Sequence, residues 1–315
     1  MCREGGLPMI AVLLGKQILQ LFLMMLCGYL LVHFGLLKSS DSKPLSILLV
    51  YIVVPCTIIN AFQIEFSKEA ASGFLLAVIC ALIIHILLFL IVYGLDRFFH
   101  FSNIEKASLI YSNAGNLIIP LVSAILGEQW VLYASAFMVV QLFIIWTHGK
   151  SLVMGKKGTD LKAILLNVNL IAYVLGLMMF LTRLQLPEIL RGTVKSLGGI
   201  VGPVGMIMIG MILANVDMKS IVKGKRIWVI TFLKMIAIPA IIILIMKFSG
   251  ISRMAAEGVT IVYIALMATM TPSASTVTQM AQLYDQDVNT STAINTITTL
   301  LCVATMPLLT MLYYL

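Results

Sequence analysis

Apolar stretches long enough to cross a bilayer follow one another along this chain, beginning near Ile10 and ending near Tyr313. In hydrocarbon, no water pairs with backbone N–H and C=O groups. A crossing segment must therefore be a helix or part of a closed barrel. Barrel strands alternate apolar and polar residues over about ten positions, and these stretches do not alternate. The expected fold class is an all-α polytopic membrane protein. Only 11% of residues are charged, against about 25% in soluble domains. The net charge of +8 does not point to nucleic acid, because the Lys and Arg residues sit in short connections between spans. The five cysteines (Cys2, Cys27, Cys56, Cys80, Cys302) are scattered and form no CxxC pair. They read as packing residues, and neither a metal nor another cofactor is expected.

Ten spans are expected, at 10–34, 44–63, 71–95, 104–126, 130–153, 163–182, 193–215, 227–247, 252–283 and 288–313. No separate cleavable signal precedes the first of them. Odd-numbered connections hold 12 of the Lys and Arg residues, and the even-numbered ones with the N-terminal region hold 8. The positive-inside rule then places odd connections in the cytoplasm and both termini outside.

Punctuation repeats between the halves. Pro55 and Pro203 are 148 residues apart, His85 and Lys234 are 149 apart, and Glu105–Glu257 and Pro120–Pro272 are each 152 apart. A near-constant offset points to duplication. A repeat of five spans, an odd number, must be inverted in the membrane. The expected organisation is a first repeat at 1–153, a cytoplasmic linker at 154–162 and a second repeat at 163–315. Inverted repeats and interrupted helices at matching places are marks of a transporter.

The interruptions are expected at Pro120 and Pro272. A proline inside a helix lacks an N–H and clashes with the carbonyl four residues back, which frees the carbonyls of Asn116 and Ala268. Asn113 and Asn116 precede the first proline, while Thr269, Thr271, Ser273 and Ser275 surround the second. Such clusters read either as a kink healed by hydroxyl groups or as an unwound crossover, and the polar density favours the crossover. Two crossing breaks would set opposed half-helix ends together near the midplane. Half-helix N-termini favour an anion, and no acidic residue accompanies either break. The expected ligand is a small anion held by Asn113, Asn116, Pro120, Thr271, Pro272, Ser273 and Ser275. Asn60, ending the second span, lines a vestibule or caps a helix.

Two titratable residues lie deep in spans. Lys234 either serves coupling or charge neutralisation, or snorkels to the headgroups. His85 either carries a coupling proton or is a neutral ring bonded to a backbone carbonyl. Enzyme motifs fail at specific positions: Gly149-Lys150-Ser151 mimics a phosphate loop, but Ile144 stands where its first glycine belongs. Neither HExxH nor GxSxG occurs, and every aspartate sits at or beside a connection, against an intramembrane aspartyl protease.

The chain resembles the auxin efflux carrier family in its short-loop prokaryotic form, within the bile/arsenite/riboflavin transporter superfamily. The residues that carry the resemblance are Leu26-Cys27-Gly28-Tyr29-Leu30, Gly35-Leu36-Leu37, Val53-Val54-Pro55 and Asn113-Ala114-Gly115-Asn116-Leu117-Ile118-Ile119-Pro120-Leu121. Lys234 with Pro239, Thr271-Pro272-Ser273-Ala274-Ser275 and Thr305-Met306-Pro307-Leu308 continue it to the end of the chain. The resemblance implies two inverted five-helix repeats with broken spans 4 and 9. It also implies scaffold spans 1, 2, 6 and 7 carrying a homodimer contact, and a mobile transport part of spans 3–5 and 8–10. The implied substrates are auxin-, malate- or malonate-like carboxylates, moved across the inner membrane in an elevator motion. Sodium-coupled uptake of the bile acid symporter kind, a non-transporting ligand sensor and a channel are the competing functions.

Overall fold

The computed structural model describes residues 7–156, 165–214 and 224–315. Most of the linker expected at 154–162, and Asn215, Lys219 and Lys223, lie outside the described residues. Among the described residues the fold is made of twelve helices: α1 (Leu7–His33), α2 (Ser39–Ala61), α3 (Lys68–Phe99), α4 (Asn103–Ile110), α5 (Ala114–Ile125), α6 (Glu128–Met154), α7 (Val168–Thr182), α8 (Glu188–Leu213), α9 (Lys225–Phe248), α10 (Gly258–Thr269), α11 (Ser275–Leu283) and α12 (Val288–Tyr314). There is no strand among the described residues; their one β feature is an isolated bridge. Among the described residues, six helices (α2, α3, α6, α8, α9 and α12) are long and apolar enough to cross a membrane.

The two short pairs follow from local chemistry. An eight-residue helix reaches about 12 Å and a twelve-residue one about 18 Å, against a hydrocarbon core of about 30 Å. Neither α4 nor α10 crosses alone. α4 begins on a capping box, in which Ser102 Oγ accepts from Glu105 N–H and Glu105 accepts from Ser102 N–H. It ends where Tyr111 turns extended (φ −93°, ψ 135°). α10 is buried along nearly its whole length and ends before Pro272.

The breaks fall differently from the sequence expectation. Pro272 lies in the second break, but Pro120 lies inside α5, well past the first break at Tyr111–Asn113. The first interruption is therefore set by Tyr111, Ser112 and Asn113, whose backbone groups find partners outside their own helix. Pro120 packs on α8 instead, where a methyl group on Gly202 would come 3.1 Å from the proline ring.

Three helices carry a π-helical turn, at Leu49–Val53 in α2, Ile145–Gly149 in α6 and Leu233–Ala237 in α9. Those of α2 and α9 sit just ahead of Pro55 and Pro239, where the missing N–H and ring clash must be absorbed. α1 lies against the second part of α8 with their backbones touching: a methyl on Gly28 would overlap the Ile207 carbonyl, and one on Gly210 the Met25 carbonyl. Small residues allow such close packing between membrane helices. α2 packs on α7 and α8, α3 on α6 and α10, and α9 on α12.

Candidate functional site

The two breaks cross and hydrogen-bond to each other. Ser112 and Ser273 face one another as a single antiparallel bridge. Asn113 N–H donates to the Pro272 carbonyl at 2.8 Å, and Ala274 N–H donates to the Tyr111 carbonyl at 3.1 Å. The remaining backbone groups of the break are satisfied by side chains. The Gln141 amide accepts from Ser112 N–H at 3.0 Å and donates to the Ser112 carbonyl at 2.7 Å. Ser273 N–H donates to Thr298 Oγ1 at 3.2 Å. The Ala268 carbonyl, freed by Pro272, accepts from the Thr271 hydroxyl at 2.8 Å.

Lys234 sits in the π turn of α9, only 2% exposed. Its ammonium donates to the Leu109 carbonyl (3.1 Å), the Tyr111 carbonyl (3.2 Å) and Ser112 Oγ (2.9 Å). An ammonium has three donors, so all are engaged. The side chain therefore does not snorkel. It caps the C-terminal end of α4, where the helix dipole is negative. His85 is buried on α3 with Nδ1 2.7 Å from the Ala81 carbonyl and its ring 5.0 Å from that of Phe137. Its Nε2 has no protein partner. Of the two readings of His85, the bond to a backbone carbonyl is present in the structure.

A cavity of about 160 Å³ opens at the crossing. Ser112, Asn113, Gly115, Ala274 and Ser275 from the breaks line it, with Gln141 from α6, Asn169 and Tyr173 from α7 and Gln279 from α11. α2, α6 and α8 add Val54, Ile58, Met138, Trp146 and Met208. Three of these lining residues carry a buried polar atom without a protein partner: Asn113 Nδ2, Asn169 Oδ1 and the Tyr173 hydroxyl. Leaving a buried polar group unpaired costs about 1–3 kcal/mol, so three such residues around one cavity make it the candidate site. The first turns of α5 and α11 begin at the same place, with free N–H groups and positive dipole ends. No Asp, Glu, Lys or Arg is among the lining residues.

The cavity shares Ser46, Met208, Ser275 and Gln279 with a larger vestibule of about 710 Å³, walled by Ser39, Lys43 and Asn295 on the side of the α1–α2 connection. A third space of about 450 Å³ lies at the opposite end, lined by Asn60, Gln63, Glu128, Arg191 and Lys195.

Of the residues expected to hold a ligand, Asn113 and Ser275 line the cavity, while Thr271, Pro272 and Ser273 build the crossing behind it. Asn60 belongs to the opposite space, and Pro120 to the α5–α8 contact. Asn116 lies in the first turn of α5, and its side chain lies outside the described residues. Sequence reasoning missed Gln141, Asn169, Tyr173 and Gln279. Gln141 is a lone amide inside the apolar run Val139–Ile145, which is itself a signal. Asn169 and Tyr173 are spaced i, i+4, hence on one helix face.

A family model described as membrane transport protein matches residues 13–164 and again 157–310. No curated protein matches the chain.

Proposed function

Because the chain belongs to the membrane transport protein family, that of the auxin efflux carriers, we propose that this multi-pass membrane protein carries a small organic anion through the crossing of α4–α5 and α10–α11. One observation carries the reading: two helix N-termini, Asn113 with an unpartnered amide NH2 and Tyr173 with an unpartnered hydroxyl surround a cavity without a carboxylate. Dipole ends and these two neutral donors attract a carboxylate and hold it without a fixed counter-charge.

The lining narrows the substrate. Its polar groups come from the breaks, α6, α7 and α11, and its apolar ones from α2, α6 and α8. With no cation present, a second carboxylate would be buried unpaired. A monocarboxylate with an apolar body fits better than a dicarboxylate. Sodium coupling lacks support, because the carbonyls of Leu109 and Tyr111, which a bound cation would need, already take the Lys234 ammonium.

The ten-span inverted-repeat organisation and the elevator motion belong to the same proposal. α1, α2, α7 and α8 form the scaffold and its homodimer contact, and the other helices move. What supports this is the packing of α1 on α8, of α2 on α7 and α8, and of α3 on α6 and α10, with α5 and α12 meeting α1 between the two groups. The vestibule at Lys43 then opens to the cytoplasm, by the bias of Lys and Arg residues.

The test is uptake of labelled monocarboxylates, from acetate to phenylacetate, into proteoliposomes, with malonate as the dicarboxylate. Asn113→Ala and Tyr173→Phe should each cut uptake strongly. Wild-type uptake by both variants would remove the site assignment.

A further inference from the structure

His148, on the π turn of α6, is held between two tyrosine hydroxyls. Tyr111 Oη lies 2.8 Å from Nδ1 and Tyr93 Oη lies 2.9 Å from Nε2. With the Tyr111 hydroxyl donating to the Ile144 carbonyl (3.3 Å), Nδ1–H donates to Tyr111 and, in the neutral ring, Nε2 accepts from Tyr93. A second proton, arriving at Nε2, needs only the exposed Tyr93 hydroxyl to turn and accept. Both charge states are fully hydrogen-bonded, and the change between them occurs at the exposed end of the chain.

Neither of the other buried candidates has this property. Protonating His85 at Nε2 would bury an unpartnered N–H, and deprotonating Lys234 would break one of its three bonds. The groups around His148 are Tyr93 from α3, Tyr111 from the break and Lys150 on α6. The Lys106 ammonium lies 5.9 Å from the centre of the Tyr93 ring and pairs with Asp96 at 2.9 Å. Phe89 abuts the ring edge-on at 4.7 Å.

The cluster is tied to the crossing. A methyl on Gly149 would fall 2.8 Å from the Tyr111 ring, so a glycine there admits the tyrosine. The Tyr111 carbonyl accepts from both Lys234 and Ala274 N–H. Ser112, its neighbour, lines the cavity, as does Trp146, one helical position from Thr147 and two from His148.

We propose that His148 takes up a proton together with the transported anion, which makes the protein a proton–anion symporter. The inference rests on the carrier reading above. An imidazolium bonded to Tyr111, whose neighbour Ser112 lines the cavity, attracts a carboxylate there, and by reciprocity the bound carboxylate favours the imidazolium. Proton and anion therefore load together instead of competing. The proton enters from water past Tyr93 onto Nε2, travels with the loaded body and leaves by the same route on the other side.

The experiment uses proteoliposomes and labelled monocarboxylates from acetate to phenylacetate, read as initial rates above those of protein-free vesicles, because the undissociated acids themselves cross a bilayer and accumulate with pH. A proton and a monovalent anion together carry no net charge, so wild-type uptake should rise with external acidity and should not respond to a valinomycin-set potential. His148→Gln keeps a side chain able to bond both tyrosines but cannot titrate. Its uptake should follow an inside-positive potential and lose the dependence on the pH gradient. Uptake by His148→Gln that matches wild type in both respects, or wild-type uptake driven by an inside-positive potential, overturns the proposal and leaves the carrier standing. No flux by the wild type overturns both. If His148→Gln fails to fold, Tyr93→Phe is read instead: it should slow the pH-driven uptake, and a wild-type rate overturns the proposal.

Discussion

The Gln141 side-chain amide closes on both main-chain groups of Ser112, at 3.0 Å to the N–H and 2.7 Å to the carbonyl. It stands in for the helical neighbours that Ser112 lacks between α4 and α5. Gln141→Leu would leave two buried backbone groups unpaired, at about 1–3 kcal/mol each. The variant should unfold at clearly lower temperature in detergent and lose uptake. Gln141→Glu, which can accept but not donate when ionised, should fall between the two. Wild-type thermal stability in Gln141→Leu would show that the break is satisfied in another way.

Lys234 poses a related question with charge added. Its ammonium bonds Leu109, Tyr111 and Ser112 at once. Lys234→Met keeps most of the volume and removes all three donors. Hydrogen bonds to charged groups contribute about 1.5–3 kcal/mol each, so the loss should be severe. Lys234→Arg should not rescue it, because a planar fork cannot reproduce the three directions of an ammonium. Thermal unfolding of both variants, alongside uptake, checks this. Stable, active Lys234→Met would return the residue to a peripheral role.

Asn113 and Tyr173 should govern affinity and leave the fold intact, since each lines the cavity and carries a polar atom without a protein partner. Loss of one hydrogen bond to a carboxylate, about 1.5–3 kcal/mol, corresponds to roughly a ten- to hundredfold rise in the half-saturating concentration. Asn60→Ala should leave it unchanged, because Asn60 faces the space at the opposite end. Competition binding on purified protein measures all three.

How far these residues were legible depended on whether their partners are local. The helical class was readable because the backbone in lipid must pair within its own helix, and the Ala268 carbonyl takes the hydroxyl of Thr271, three residues on. The first break was misplaced to Pro120. Its actual determinants, Ser112 with Gln141 and Ser112 with Ser273, are long-range pairs without a local mark in the sequence. Proline interrupts a helix from within, and α5 tolerates Pro120 by packing it on Gly202 of α8. Asn60 lines the space at the opposite end, which the ten-span reading left open because it fixes depth in the membrane but not which space a helix end faces.

The same Gly202 contact and the ion pair at the far end give the last expectation. Lys195 on α8 lies 3.2 Å from Glu128 at the start of α6, with both side chains more than half exposed. An exposed pair contributes about 0–1 kcal/mol to stability, so breaking it should leave folding unchanged. It nevertheless joins the proposed scaffold to the proposed moving part on the side away from the Lys43 vestibule. A two-state carrier balanced within a few kcal/mol responds to a bias of that size. Lys195→Glu, placing like charges together, should shift the population toward the state open at Asn60 and Gln63. Glu128→Lys should do the same alone, and the two together should restore the original balance. A cysteine placed at Asn60, read by a membrane-impermeant thiol reagent, follows the shift: labelling should rise in each single variant and return in the double one. Equal labelling in all forms would mean that the ion pair holds no part of the closed state.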